Sequence, residues 1–280
     1  MPELPEVETV RRGLENHLNG QRIENVELRR PDLRFPMPEG FASRLRGRRV
    51  ERIDRRAKYL LIRLDNGITW LCHLGMSGKW TLLGEDSLSD DGKHDWVVIY
   101  LENGRRAVFS DHRRFGFMDL FETAEQDQNS FLAKLGPEPT PDYLTPMSLA
   151  ENLRGRRTSI KAALLDQGTV AGLGNIYCSE ILHRAKISPR RTAASVAGTS
   201  GISKRVERLT GATHDVIVEA IDAGGSSISD FASVDGALGY FTRSHQVYGR
   251  EDEPCMNCNA TIRRIVQSGR STFYCPKCQQ

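Results

Sequence analysis

The chain opens with Met1-Pro2-Glu3-Leu4-Pro5-Glu6-Val7-Glu8-Thr9-Val10-Arg11-Arg12, a stretch that predicts an amphipathic helix at the N-terminus. Pro5 suits the first turn of a helix, and Glu6 and Glu8 favour the positive end of the helix dipole. An ordinary helix with an acidic first turn accounts for this pattern without any function. Apolar residues recur at helical spacing as a stripe that would face a core, namely Val7, Val10, Leu14 and Leu18.

The second residue gives this stretch a possible chemistry. A Met that precedes a small residue such as proline is normally removed, which would leave the secondary amine of Pro2 as the N-terminus. An α-amino group has a pKa of about 7.7–8.0 against about 10.4 for lysine, so far more of it is unprotonated at neutral pH. Its attack on a sugar carbon would form an iminium, and the neighbouring Glu3 could move protons. A retained Met1 would turn the Pro2 nitrogen into an inert amide.

Length and composition are those of a protein with real cores. The chain has 280 residues, 39% of them hydrophobic, which is enough for two domains or one large one. No apolar run approaches about 18 residues, and the charged start is not a signal peptide, so we expect a soluble cytoplasmic protein without a membrane segment. The net charge of +3 barely favours a polyanion partner, but the basic residues are clustered. Clusters recur at Arg11-Arg12, Arg44–Arg49, Arg55–Lys58, Arg113-Arg114, Arg154–Arg157 and Arg263-Arg264.

Residues 22–122 predict an antiparallel β-sandwich. Asp65-Asn66-Gly67 predicts a hairpin turn between strands at 59–64 and 68–74. Glu102-Asn103-Gly104 predicts a second hairpin between 96–101 and 107–110. Short strands joined by glycine-bearing turns are typical of a sandwich.

Composition changes after a proline-dense bridge at residues 135–141. Helices are predicted at 146–153, 160–166, 176–185 and 203–223. Between them, Gly168-Thr169-Val170-Ala171-Gly172-Leu173-Gly174-Asn175-Ile176-Tyr177 places glycines just before a helix, where backbone N–H groups can bind an anion. A plain tight turn between helices explains the glycines equally well. The polar stretch at 84–93 and the glycine- and serine-bearing stretch at 224–240 are expected to be loops, the second either a lid or a linker.

Four cysteines close the chain as two CxxC pairs with sixteen residues between them. This spacing predicts a structural zinc site rather than disulfides in a reducing cytoplasm. All four ligand positions are thiols, so no position is open for metal catalysis. The ligands would be Cys255, Cys258, Cys275 and Cys278.

The opening stretch resembles the N-terminus of bacterial formamidopyrimidine-DNA glycosylases, and the likeness recurs along nearly the whole chain. Asp111-His112-Arg113-Arg114-Phe115-Gly116 stands where the family usually has Asp-Pro-Arg-Arg-Phe-Gly, and Lys93-His94-Asp95-Trp96 where it has Lys-His-Asp-His. The resemblance implies an α+β fold: a β-sandwich with a leading helix (1–130), a helix–two-turn–helix domain with a lesion-capping loop (131–240), and a zinc-ribbon hairpin (241–280). It implies a monomer, associated with the nucleoid, that binds damaged double-stranded DNA.

The same resemblance implies a reaction and its residues. The enzyme would excise oxidised purines such as 8-oxoguanine and formamidopyrimidines and then cleave the strand by β- and δ-elimination. It would need one structural zinc ion and no dissociable organic cofactor. Pro2 would be the nucleophile, Glu3 would assist sugar opening and proton transfer, and Lys58 and Arg270 would bind phosphates at the reacting nucleotide.

Further positions are assigned to DNA by the resemblance. Met76, Arg113 and Phe115 would fill the void that an extruded base leaves in the duplex. Other matches to DNA-contacting or lesion-facing positions of the family are His94, Lys161, Asn175, Tyr177 and Glu180.

Two alternatives stay open at this point. The sister group that resembles endonuclease VIII takes oxidised pyrimidines, but its members tend to carry glycine where Leu4 stands, and Met76 and the Arg113–Phe115 block fit the purine-directed group better. A zinc-ribbon DNA-binding protein without chemistry would need the same basic clusters and cysteines. It would have no use for a free Pro2 amine beside Glu3.

Overall fold

The computed structural model describes residues 1–84, 92–226, 234 and 240–280. Most of the predicted loops at 84–93 and 224–240 therefore lies outside the described residues. The chain divides into two compact units. We call them the sandwich unit, Met1–Ala133 with Ala223–Tyr240, and the helical unit, Lys134–Asp222 with Phe241–Gln280.

The sandwich unit begins with a helix and continues with β-strands, as the sequence predicts. Its helices are α1 (Leu4–Leu18) and the short α2 (Phe41–Leu45), which the sequence pattern did not reveal. The strands described in this unit are β1 (Ile23–Leu28), β2 (Val50–Arg56), β3 (Tyr59–Leu64), β4 (Ile68–His73), β5 (Lys79–Leu83), β6 (Asp95–Leu101), β7 (Arg106–Ser110) and β8 (Phe117–Glu122).

Among the described residues these strands form two four-stranded antiparallel sheets. One sheet has the order β1-β6-β7-β5 and the other β2-β3-β4-β8. The apolar faces of the two sheets share one core, in which Trp70 of β4 and Trp80 of β5 meet edge to face with ring centroids 5.6 Å apart. The predicted antiparallel sandwich is therefore confirmed.

Both predicted hairpins are present. The turn after Leu64 joins β3 to β4, with Arg63 paired with Thr69 and Gly67 at φ +78°. Only glycine adopts such a φ at no steric cost, which explains the strong turn signal of Asp65-Asn66-Gly67. The second hairpin joins β6 to β7 in the same manner.

Helix α1 is attached to the sandwich by its apolar stripe and by Glu8. The stripe is buried in the shared core. Glu8 forms ion pairs with Arg11, Arg12 and, from β2, Arg55, at 3.0–3.1 Å. Burial raises the pKa of Glu8, but Arg11 and Arg55 outweigh it, and the pKa lies below its ordinary value. The ion pairs thus fix the helix that carries the N-terminus.

The helical unit contains the predicted helices, with ends within two residues of expectation. Its helices are α3 (Pro146–Leu153), α4 (Ile160–Leu165), α5 (Asn175–Arg184), α6 (Ala193–Ala197) and α7 (Lys204–Asp222). The α4–turn–α5 arrangement corresponds to the predicted helix–two-turn–helix element. Helix α6 is too short to give a periodic signal.

A two-stranded antiparallel hairpin of β9 (Arg263–Gln267) and β10 (Arg270–Tyr274) ends the helical unit. Its own buried cluster is small: Val247, Cys255, Ile262 and Cys275. The predicted C-terminal hairpin is confirmed. No helix in the described part of the chain is long and apolar enough to cross a membrane.

The division into residues 1–130, 131–240 and 241–280 stays a prediction. In the structure, Ala223–Tyr240 groups with the sandwich unit and the C-terminal hairpin groups with the helices. The first grouping has a physical cause. Ser226 donates a hydrogen bond to Glu6, and a Cβ added at Gly13 in α1 would lie only 2.9 Å from the Val234 side chain.

Candidate functional site

The N-terminus is held at the start of α1 by buried carboxylates. Pro2 is buried, while Met1 is exposed. Glu3, the residue before the helix, is only 3% exposed. Its backbone N–H donates to Glu6 Oε2 at 2.8 Å, which satisfies one of the free N–H groups at the helix start. Residue 2 is therefore attached to a fixed point of the sandwich unit.

Glu6 also connects this point to a distant segment of the chain. The Ser226 N–H donates to Glu6 Oε1 at 2.7 Å. Gly225 has φ +80°, and a Cβ there would lie 2.9 Å from the same oxygen. Both the backbone conformation and the space favour glycine at this position. Glu6 thus orders the helix start and fixes the beginning of the Gly224–Tyr240 stretch beside it.

Lys58 lies in the turn between β2 and β3. Arg56 pairs with Tyr59, so Ala57 and Lys58 form a two-residue loop between β2 and β3. Ala57 has φ +53°, which is uncommon for a residue with a Cβ. The Arg55 guanidinium donates to the Ala57 carbonyl at 3.1 Å and supports this conformation. The turn holds Lys58 in a largely buried position.

Asp111 joins the two loops that carry the predicted void-filling residues. Its side chain is fully buried and accepts a hydrogen bond from the Ser77 hydroxyl of the β4–β5 loop. It also accepts from the backbone N–H groups of Arg113 at 3.2 Å and Gly116 at 2.7 Å, in the β7–β8 loop. Hydrogen bonds to a charged acceptor contribute about 1.5–3 kcal/mol each. One buried carboxylate therefore fixes both loops.

The two loops approach at backbone distance. A Cβ on Gly75 would lie 2.2 Å from the backbone carbon of Phe115, so no other residue fits there without a shift of the loop. Met76 and Phe115 are 37% and 42% exposed. The Arg113 guanidinium lies 5.0 Å from the centroid of the Phe115 ring. The structure thus brings all three predicted void-filling residues to neighbouring, exposed loop positions.

His73, the last residue of β4, contacts residues at the ends of the same two loops. Its Nδ1 accepts a hydrogen bond from the Gly75 N–H at 3.0 Å, and its ring stacks on Phe117 with centroids 5.0 Å apart. Burial, together with the charges of Lys58 and Arg34, lowers the pKa of His73 to about 4. The imidazole is therefore neutral at pH 7, as an acceptor must be. Sequence reasoning did not single out this residue.

His94 lies at the entry to β6, half-buried, with its ring centroid 5.8 Å from that of Trp96. Its carbonyl accepts the Asp111 N–H at 3.0 Å. Trp96 donates its indole N–H to the Asp111 carbonyl at 2.7 Å. The Lys93–Trp96 segment is thus attached to the residue that joins the two loops.

In the helical unit, Lys161 and Asn175 point to the C-terminal hairpin. The Lys161 ammonium is almost fully buried and donates to the Ser271 carbonyl at 2.9 Å and the Thr272 hydroxyl at 2.8 Å. The Asn175 amide donates to the same Ser271 carbonyl at 3.0 Å. These side chains fix the residue that follows Arg270.

Tyr177 and Glu180 are buried members of α5. The Tyr177 ring packs 5.6 Å from that of Phe241. Glu180, expected from the resemblance to face a lesion, accepts three backbone N–H groups, from Gln246, Val247 and Tyr248, at 2.8–3.1 Å. Burial raises the pKa of Glu180, while these donors oppose the rise. In this structure Glu180 holds the chain that leads into the hairpin.

Arg270 is exposed at the hairpin tip. It pairs with Gln267 across a two-residue turn in which Ser268 and Gly269 have φ +49° and +71°. Positive φ at both central residues is the turn geometry that fits the twist of a hairpin. Gly269 and Arg270 therefore lie at the tip of the hairpin.

The four cysteines of the two CxxC pairs converge as a metal site. Their sulfur atoms all lie within 4.8 Å of one another, with Cys255 and Cys278 3.9 Å apart and Cys258 and Cys275 3.4 Å apart. A tetrahedral zinc–thiolate centre with bonds of about 2.3 Å requires sulfur separations of about 3.8 Å. The residues therefore fit one structural Zn²⁺, which would link the two ends of the hairpin.

The local electrostatics suit a cation. The backbone N–H of Ala260, followed by the neighbouring thiols, lowers the pKa of the Cys258 thiol to about 7. For Cys278, burial and then the neighbouring thiols raise the pKa. A divalent cation bound by all four sulfurs offsets the repulsion between neighbouring thiolates and stabilises their deprotonated form.

Three family models match successive parts of the chain. The Formamidopyrimidine-DNA glycosylase N-terminal domain matches residues 1–118, and the Formamidopyrimidine-DNA glycosylase H2TH domain matches residues 135–232. The zinc finger found in FPG and IleRS matches residues 252–280. The matches follow the order of the sandwich strands, the helices and the cysteine hairpin.

Individual proteins agree over the full length. The Formamidopyrimidine-DNA glycosylase of Azorhizobium caulinodans is 53% identical, with 100% of each chain covered. A mutant of Lactococcus lactis FPG, in complex with a Fapy-dG containing DNA, superposes with a TM-score of 0.90 at 35% identity, again over 100% of each chain. The wild-type Lactococcus lactis FPG in complex with an oxidized pyrimidine containing DNA gives 0.89 at 35% identity over 100% of each chain.

Proposed function

Because this chain belongs to the formamidopyrimidine-DNA glycosylase family, we propose that it removes oxidised purines from damaged double-stranded DNA and then cleaves the strand at the abasic site. The observation that supports this most directly is the N-terminus. Pro2 is followed by the buried Glu3, and Glu6 fixes both to the start of α1. A binding protein without chemistry would have no use for a free Pro2 amine beside Glu3.

The first half of the reaction is substitution at C1′ of the damaged nucleotide. Once Met1 is removed, the lone pair of the Pro2 nitrogen attacks C1′, and the bond from C1′ to the base breaks. The base leaves with the bonding electrons and takes up a proton, while the Pro2 nitrogen loses its proton. Protonation of O4′, for which Glu3 is the proposed donor, then opens the sugar and gives the iminium.

The second half is elimination. Loss of a proton from C2′ expels the 3′ phosphate, with the iminium as the electron sink. Loss of a second proton, from C4′, expels the 5′ phosphate. Attack of water on C1′ then hydrolyses the iminium and restores the Pro2 amine. No dissociable organic cofactor takes part, and the zinc ion, closed by four thiolates, has a structural role only.

DNA recognition is proposed for side chains of both units. Lys58 and Arg270 bind phosphates of the reacting nucleotide as cations. Met76, Phe115 and Arg113 fill the space of the extruded base, since two exposed apolar side chains beside a fork-shaped donor suit a gap between base pairs.

The remaining positions are proposed as DNA contacts on the strength of the family likeness. For Lys161 and Asn175 we expect the effect to pass through the Ser271 carbonyl next to Arg270, because both side chains donate to it. His94 and Tyr177 complete the set. We further propose that the protein acts as a monomer associated with the nucleoid, in the bacterial cytosol; the bacterial sources of the relatives support the last of these points.

Borohydride trapping tests the reaction and the substrate together. The substrate is a duplex with one 8-oxoguanine opposite cytosine, and the protein is fully processed and zinc-loaded. We expect a covalent adduct that maps to residue 2. The matched control is the same chain with Met1 retained, which differs only in that the Pro2 nitrogen is an amide and should give no adduct.

The other outcomes are distinguishable. An adduct that forms only with an oxidised pyrimidine duplex would assign the chain to the pyrimidine-directed chemistry instead. Absence of any adduct, even with a preformed abasic site, would refute the enzyme and leave a DNA-binding protein. An adduct at a lysine rather than at residue 2 would refute the proposed nucleophile alone.

A further inference from the structure

Helix α5 contacts the cysteine cluster through a buried histidine. His183, in the last turn of α5, is almost fully buried, and its Nε2 lies 3.7 Å from the Sγ of Cys255. This distance is within the range of an N–H···S hydrogen bond. Cys255 is itself completely buried. The contact joins residues 72 positions apart, and no sequence motif includes both.

A buried four-thiolate zinc site is stabilised by N–H groups that donate to its sulfur atoms. One Zn²⁺ with four thiolates carries a net negative charge, and burial makes that charge costly unless N–H groups point at the sulfurs. Cys275 accepts the backbone N–H of Cys278 at 3.4 Å, and the Ala260 backbone N–H serves Cys258. The fully buried Cys255 has the His183 ring nitrogen within hydrogen-bond reach of its sulfur.

We propose that His183 is a positioning residue of the zinc site, with Nε2–H donating to the Cys255 thiolate. The four cysteines remain the complete ligand set, and the imidazole lies outside it. The hydrogen bond orients the Cys255 sulfur towards the metal and places a donor against its buried side. Such outer partners influence metal affinity without touching the ion.

The hydrogen bond gives α5 a third attachment to the C-terminal element. Asn175, the first residue of α5, donates to the Ser271 carbonyl beside the hairpin tip, and Glu180 binds the backbone at residues 246–248. His183 adds the metal site itself. The zinc centre thereby becomes one of three fixed points that align the hairpin along α5.

Two substitutions separate the hydrogen bond from packing. His183→Phe keeps a planar ring but has no donor, and His183→Gln keeps an N–H at about the reach of Nε2. Zinc affinity is measured by competition with a chromophoric chelator. We expect His183→Phe to lower the affinity about 10- to 100-fold, the usual cost of removing an outer partner, and His183→Gln to restore most of it.

The matched control is His214→Phe. His214 is half-buried in α7 of the same unit, and its Nε2 lies 3.0 Å from the Leu144 carbonyl, away from the cysteines. It should leave zinc affinity unchanged. Equal affinity in His183→Phe and the native protein, or equal losses in His183→Phe and His183→Gln, would overturn the proposal.

A second measurement needs no variant. In zinc-loaded native protein labelled with ¹⁵N-histidine, the two ring nitrogens of His183 should show the tautomer with the proton on Nε2. A proton on Nδ1 alone leaves no donor towards Cys255 and would overturn the proposal, even if His183→Phe failed to fold. Neither measurement involves DNA, so the outcome is independent of the proposed glycosylase activity.

Discussion

The β4–β5 and β7–β8 loops of the sandwich unit and the hairpin tip of the helical unit both present exposed side chains, but they are held in place by different means. The loops rest on a large shared core and are joined by the buried carboxylate of Asp111. The hairpin that carries Arg270 has a buried cluster of only four residues, two of which are cysteines of the metal site. One region is positioned by the fold, and the other by a metal ion and contacts with α4 and α5.

The difference reflects size. A sandwich of two four-stranded sheets buries enough apolar surface to hold its loops without help, whereas an isolated two-stranded hairpin is at best marginally stable in water. A metal ion supplies the missing free energy. Metal removal should therefore unfold the hairpin and leave the sandwich folded, whereas substitutions in the core or the loops should destabilise the sandwich.

The largest expected effect is that of zinc removal by a chelator. Structural zinc contributes an apparent binding free energy of about 10–16 kcal/mol in small metal-dependent domains, so the hairpin should unfold while the sandwich stays folded. Amide hydrogen exchange should show loss of protection at residues 263–274 and unchanged protection at residues 59–73. All three tryptophans of the chain lie in the sandwich unit, so their fluorescence should not change. A hairpin that stays protected without metal would remove the distinction between the two regions.

Asp111→Ala should be the most harmful single change in the loops. It leaves the Ser77 hydroxyl and the Gly116 N–H without their acceptor, and the Arg113 N–H with the Ser77 oxygen alone, at an expected cost of about 3–4 kcal/mol. Urea unfolding followed by tryptophan fluorescence measures this loss. Asp65→Ala, at an exposed hairpin turn, is the control and should change stability by at most about 0.5 kcal/mol. Equal stabilities of the two variants would show that the loops do not depend on the carboxylate.

His73 should make the sandwich unit sensitive to acid. Its pKa is about 4 in the folded protein and about 6.5 when unfolded, so the unfolded state binds the extra proton between these values. Stability should therefore fall by about 2–3 kcal/mol as pH drops from 6.5 towards 4. His73→Asn keeps an acceptor for the Gly75 N–H but does not titrate, and should flatten this part of the pH profile. The same slope in both proteins would place the acid sensitivity elsewhere.

Arg270→Ala should weaken DNA binding by about tenfold, or about 1.4 kcal/mol, with no change in zinc content. The dependence of log affinity on log salt should become shallower by about one unit, as expected for one lost phosphate contact. Arg263→Ala is the matched control, because Arg263 is an exposed arginine at the opposite end of the same hairpin. If both variants bind alike, the tip arginine has no special role.

Features encoded by neighbouring residues were predictable. The apolar stripe of α1, the Asp65-Asn66-Gly67 turn and the Pro146 helix start each depend on residues a few positions apart, where periodicity and backbone preference act directly. The metal site was equally predictable, because two CxxC pairs at that spacing are typical of a four-cysteine zinc site. The family likeness added the prediction of which exposed side chains contact DNA.

Features that join distant residues were not predictable from these patterns. Ser77 and Asp111 are 34 positions apart, Lys161 and Ser271 110, and Glu6 and Ser226 220. The basic and acidic side chains of Lys161 and Glu180 look like surface groups in the sequence, yet both are buried with hydrogen-bond partners from the C-terminal segment.

The sequence by itself therefore determined the longer helices and the strands of this protein, the metal ligands and the family to which the chain belongs. Only the tertiary structure decided which buried groups hold those elements in place: Asp111 under the loops, Glu6 at the N-terminus and His183 beside the zinc site. The reason is physical. Helices and turns are selected by interactions within a few residues, whereas a buried polar group takes whatever partner the completed fold brings within about 3 Å, or nearer 4 Å for a sulfur.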